Sequence, residues 1–83
     1  MFEIVLTSKA KRGLKNLSKQ HKEVVGLIFE DLKEDPAIGK SLTRELTGKF
    51  SLRVGVLRII YKINRKDNII HIITVGHRSI IYN

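Results

Sequence analysis

No cysteine occurs among the 83 residues, so disulfide bonds, thiolate zinc sites and cysteine nucleophiles are excluded. The three histidines, His21, His71 and His77, are scattered and make a poor ligand set; neither a metal nor a cofactor is expected. No apolar run approaches the roughly 20 residues that cross a bilayer. The opening Met1-Phe2-Glu3-Ile4 also lacks the basic-then-apolar layout of a signal peptide. A cytoplasmic protein with no membrane partner is expected. There is no internal repeat, low-complexity tract or linker, and proline occurs once. A chain this short buries only about 60 to 65% of its extended surface, so a single domain over 1–83 is expected, with any active site on the outside of a thin fold.

Acidic residues are scarce as well: eight Asp and Glu face sixteen Lys and Arg, a net charge of +8. The excess is unevenly placed. Residues 1–22 carry six cations against one acid, and residues 23–48 three against six. Residues 49–83 carry seven (Lys49, Arg53, Arg58, Lys62, Arg65, Lys66, Arg78) against Asp67 alone. Such a skew suits a polyanionic partner, because each phosphate neutralised by Lys or Arg releases condensed counterions. A disordered basic tail is disfavoured, since these charges interleave with strand-forming residues.

Phe2, Ile4 and Leu6 alternate with Glu3, Val5 and Thr7, which predicts a short strand. From Ser8 the period changes: Ala10, Leu14 and Leu17 recur at helical spacing, with Thr7 or Ser8 as the cap. Ser18 caps a second helix in which Val24, Val25, Ile28, Phe29 and Leu32 form one apolar stripe; Pro36 stops it. A polar connection through Gly39, Ser41 and Thr43 follows. Then come three strands, Phe50 to Val54, Val56 to Asn64 and Ile69 to Gly76, separated by a tight turn at Gly55 and a polar loop over 64–68. The fold class is α+β: strand-helix-helix-three-strand, a mainly antiparallel sheet packed on an N-terminal helical hairpin.

Residues two apart in a strand share a face, so Leu57, Ile59, Tyr61 and Ile63 read as core while Arg58 and Lys62 take the open side. Arg53 joins them if the turn at Gly55 pairs its strands closely. Gly76-His77-Arg78 then releases the chain at a sheet end, with Tyr82 four residues further on. Three arginines, a histidine and a tyrosine are expected on one shallow basic surface. His71 reads as a sheet residue rather than a catalyst.

The stretch from Leu46 through Thr47-Gly48-Lys49-Phe50-Ser51-Leu52-Arg53-Val54-Gly55-Val56-Leu57-Arg58-Ile59-Ile60 to Tyr61 resembles the hairpin core of RelE/ParE-superfamily toxins. Val75-Gly76-His77-Arg78 with Tyr82 is similar to that superfamily's closing motif. The resemblance implies a RelE-like fold over the whole chain and the toxin of a toxin-antitoxin pair, with a RelB-like antitoxin as partner. It further implies a metal-independent endoribonuclease that cleaves mRNA on the ribosome. In that chemistry the ribose 2′-hydroxyl attacks the adjacent phosphate and expels the next nucleotide's 5′-oxygen.

The reaction needs a base for the 2′ proton, positive charge on the phosphate and a proton donor for the leaving oxygen. Arginine suits the second task because its planar fork can hold two phosphate oxygens and stays charged. By the resemblance, Arg58 braces the phosphate with Arg53 beside it, Arg78 stabilises charge or protonates the leaving group, and Tyr82 orients or stacks the nucleotide. Where RelE-type toxins carry lysines on the first hairpin strand, this chain has Ser51 and Arg53. The base then falls to Lys49 or His77. Lys62 is expected to bind RNA, as are Lys9, Arg12 and Lys15, which form a solvated helix face that grips ribosomal RNA. Two other readings stay open: a ParE-type inhibitor of DNA gyrase that cuts nothing, and a module that only binds an antitoxin or RNA.

Overall fold

The computed structural model describes residues 1–38 and 49–77 together with the backbone of 40–42. The order is β1 (Glu3–Leu6), α1 (Ser8–Lys15), α2 (Lys19–Glu34), a 3-10 turn (Pro36–Ile38), β2 (Lys40–Leu42), β3 (Lys49–Val54), β4 (Leu57–Asn64) and β5 (Ile69–His77). One sheet runs β1-β5-β4-β3-β2. Strand β1 lies parallel to β5 and every other neighbouring pair is antiparallel. The expected class and element order are therefore observed, with one addition. The segment read as a polar connection contains β2, which pairs Lys40 with Ser51 and Leu42 with Lys49. Three residues are too few to show a period, so only the tertiary partner reveals such an edge strand.

Both helices start where a hydroxyl can accept from first-turn amides that have no carbonyl partner. Thr7 Oγ1 accepts from the Ala10 amide at 3.1 Å, and Ser18 Oγ accepts from the His21 amide at 3.2 Å. The Thr7 hydroxyl also donates to the carbonyl of Ile73 at 2.7 Å. Ile73 is the extra residue of a bulge, since Ile60 pairs with Thr74 and Tyr61 with Ile72. One side chain thus caps α1 and satisfies a carbonyl that the disturbed ladder would leave open. Helix α1 presses on β5 so closely that a Cβ at Gly13 would collide with the Val75 carbonyl oxygen.

Two turns tie the three long strands together. Gly55 adopts φ +59°, the left-handed conformation that a tight turn requires and a side chain resists. Because Gly55 and Val56 form that turn, β4 begins at Leu57 and Val56 is exposed. In the second, the Asn64 side chain accepts from the Asp67 amide and donates to the Asp67 carboxylate, both at 3.1 Å.

The core lies between the helices and one face of the sheet, built from Ala10, Leu17, Val25, Leu32, Leu57, Ile59, Tyr61, Ile70, Ile72 and Val75. Each large aliphatic buried this way stabilises the fold by about 1.5–3 kcal/mol. Tyr61 is fully buried, stacks on Phe50 at 5.5 Å and donates its hydroxyl to the Pro36 carbonyl at 2.7 Å. Proline thereby ends α2 and supplies the acceptor that lets a tyrosine enter the core. Val24, expected in the α2 stripe, is exposed instead, and so is Leu27. Helix α2 buries the narrower line through Val25 and Leu32, with Ile28 and Phe29 half-buried.

Candidate nucleic-acid interface

No described helix covers the second face of the sheet, and its side chains follow from strand parity and register. Arg53 lies directly opposite Arg58 across β3 and β4, and Arg58 in turn opposite Gly76 on β5. The next row on the same face is Ser51, Ile60 and Thr74. The third is Lys49, Lys62, His71 and Val5, crossing from β3 to β1. The hairpin at Gly55 therefore does bring Arg53 to Arg58, and Gly76 adds no side chain to crowd them.

The middle row is buried although no described helix sits on it: Ser51 is 4% exposed, Ile60 6% and Thr74 8%. From this row the Ser51 hydroxyl accepts a 2.6 Å hydrogen bond from Nη1 of Arg58. A guanidinium has five N–H donors in a rigid fork, so a bond at one nitrogen sets the direction of the whole plane. The resemblance marks Ser51 only as the place of a missing lysine. Its role as the acceptor that aims Arg58 comes from the diagonal across the hairpin, which spacing along one strand does not display.

Like charges placed directly opposite in an antiparallel pair destabilise the sheet. This face has two such pairs, Arg53 with Arg58 and Lys49 with Lys62. An ion pair lies elsewhere, joining Lys33 to Glu30 on α2 at 2.7 Å. A face that sets cations opposite cations in register is suited to bind an anion.

The remaining candidates divide. Lys49 lies on the same face but four residues along β3 from Arg53, a rise of about 13 Å, so it is not beside the arginine pair. His77 lies on the opposite face. It is the last residue of β5, pairs with Leu57 on the helix-facing side, and sets its ring edge-on to His21 of α2 with centroids 5.7 Å apart. The sequence suggests release of the chain at residues 76–78, whereas the bulge at Ile73 and continued pairing to Leu57 decide which way His77 points. Lys9, Arg12 and Lys15 lie on α1, in the helical layer, and form a second basic surface across the sheet from the first. Arg78 and Tyr82 lie outside the described residues. Among the described residues no group of three or more His, Cys, Asp or Glu is placed to hold a metal, and no helix is long and apolar enough to cross a membrane.

Residues 4–82 match a family described as the ParE toxin of the type II toxin-antitoxin system parDE. The chain is 37% identical over 83 residues to Toxin RelG of Mycobacterium tuberculosis, a match covering 98% of this chain and 95% of that protein. In the crystal structure of the toxin-antitoxin complex RelBE2 from the same organism, one chain superposes with a TM-score of 0.84 at 37% identity, covering 93% of this chain and 98% of that one. The isolated E. coli RelE toxin shares the fold, with a TM-score of 0.81 at 17% identity and coverage of 99% and 92%. The cationic face thus lies on a sheet of known lineage, and the chain belongs to the ParE toxin family: it is the toxin of a type II toxin-antitoxin pair.

Proposed function

We propose that this toxin is a metal-independent endoribonuclease that cleaves mRNA on the ribosome and so stops translation in the cytoplasm. The observation that carries the reading is the Arg53–Arg58 pair on the face that no described helix covers, with the Arg58 guanidinium aimed by the buried Ser51 hydroxyl. In the reaction the ribose 2′-oxygen forms a bond to phosphorus while the bond to the 5′-oxygen breaks. The 2′ proton is lost to a base and a proton is delivered to the departing oxygen, leaving a 2′,3′-cyclic phosphate and a 5′-hydroxyl. Charge gathers on the phosphate oxygens as the new bond forms, and fixed guanidinium groups stabilise it there without reorganising. Since guanidinium charge does this work, no metal is needed.

Arg58 braces the phosphate and Arg53 shares its charge. Arg78 and Tyr82 keep the roles that the resemblance implies, charge stabilisation or proton donation and stacking of the nucleotide. Neither Lys49 nor His77 adjoins the arginine pair, so the base is assigned to neither. Lys9, Arg12 and Lys15 give the ribosome a separate basic surface to hold. A RelB-like antitoxin silences the toxin by laying an acidic, partly apolar segment over the cationic face.

The test is to incubate purified toxin with ribosomes programmed with a defined mRNA in the presence of a chelator. Cyclic-phosphate ends are expected, and their loss in Arg58→Ala with the fold intact. A wild-type toxin that leaves the mRNA whole ends the reading. The family description itself favours a second possibility, a ParE-type inhibitor of DNA gyrase. Induction that causes DNA damage and filamentation, with protein synthesis continuing, selects that alternative.

A further inference from the structure

The row of Lys49, Lys62 and His71 is not needed for the bond that breaks, yet it repeats the design of the arginine row. Lys49 faces Lys62 across β3 and β4, and Lys62 faces His71 across β4 and β5. Around Lys62 and His71 the surface sinks into a shallow hollow of about 280 Å³ that Ile63, Asn64 and Arg65 complete. Asn64 is committed to the turn through Asp67, so the groups facing the hollow that remain for a ligand are two cations and an imidazole. Lys62 is exposed and His71 half-buried, which gives the hollow a charged rim and a flat wall.

We propose that this hollow is a second phosphate subsite, which holds a backbone phosphate of the same RNA strand away from the scissile one. The inference rests on the nuclease reading for the identity of the strand. Arg58 and Lys62 are four residues apart on one face of β4, about 13 Å at the rise of an antiparallel strand. That span is longer than one nucleotide step and within two for an extended strand. The row of Ser51, Ile60 and Thr74 lies between the two anchors, its side chains almost fully buried. His71 offers an aromatic ring for a base to stack on. The toxin therefore grips its substrate at two points and needs an oligonucleotide, not a dinucleotide, for full affinity. An acidic antitoxin segment is the competing occupant.

The test uses uncleavable 2′-O-methyl RNAs of two, three, four and five nucleotides, bound to the full-length toxin and followed by fluorescence anisotropy. Affinity is expected to rise about tenfold or more between two and four nucleotides, and the rise to vanish in Lys62→Ala/Arg65→Ala. Lys62→Arg should retain it. The slope of log affinity against log salt should become shallower by about 0.7 for each phosphate that the variant no longer neutralises. A flat length series in the wild type, or an undiminished rise in the double variant, overturns the subsite. So does a double variant that loses antitoxin affinity while binding RNA as before. Circular dichroism of the double variant establishes that it is folded. Because the strands are not cut, failure of cleavage on ribosomes with the length series intact rejects the nuclease reading and leaves the subsite standing.

Discussion

The two faces of the sheet are built from alternating residues of the same strands and follow opposite rules. On the covered side, Leu57, Ile59 and Tyr61 of β4 are almost fully buried, and the Tyr61 hydroxyl is matched to the Pro36 carbonyl. On the other side, Arg58 and Lys62 of the same strand each oppose a like charge on β3. The first face gathers apolar side chains and the second sets like charges opposite each other. The sheet draws its stability chiefly from the covered side.

The contrast breaks most visibly at Arg58. Arg58→Ala should lower cleavage by about 10²- to 10³-fold, as removal of a fixed transition-state donor does, and should cost no more than about 1–3 kcal/mol as the buried Ser51 hydroxyl loses its donor. A larger loss of stability would mean that this face is chiefly structural. On the covered side, Gly13→Ala forces a Cβ against the Val75 carbonyl and should cost about 1–3 kcal/mol by urea denaturation, the usual scale of overpacking. Activity should then fall only as the folded fraction does. Tyr61→Phe, which leaves the Pro36 carbonyl without its donor, should cost about 1–3 kcal/mol.

Thr7→Ala removes the α1 cap and the bond to the bulge carbonyl together, so the loss should reach about 1 kcal/mol or somewhat more. The smallest effect has the opposite sign. Lys62→Glu turns the opposition with Lys49 into an attraction and should stabilise the fold by about 0.2–1 kcal/mol, while RNA affinity falls. A Lys62→Glu toxin that is both less stable and equally tight on RNA would remove the distinction between the faces.

Much of the covered face was legible in the chain. Ser18 as a cap, Pro36 as a stop, the turn at Gly55 and the alternation through Tyr61 each act within a few residues, and the structure has them where local chemistry puts them. Of the candidate site, Arg53 beside Arg58 was also readable, because a tight turn fixes the register of a hairpin. What escaped depends on distant partners. Strand β2 exists through its pairing with β3, and Val24 turned outward because the buried line of α2 follows its contact with the sheet.

Composition, periodicity and the charge map determined by themselves that this is a small α+β domain with a cationic late segment; that it is a toxin came from the resemblance of its hairpin motifs. The first properties depend on residue type and near neighbours alone. Tertiary structure decided that His77 meets His21 on the face opposite Arg53 and Arg58, that Ser51 orients Arg58, and that Lys49, Lys62 and His71 share one row. The physical reason is strand register. A single bulged residue at Ile73 reverses which side every later β5 residue faces, and the hydroxyl that holds its carbonyl comes from Thr7, 66 positions away.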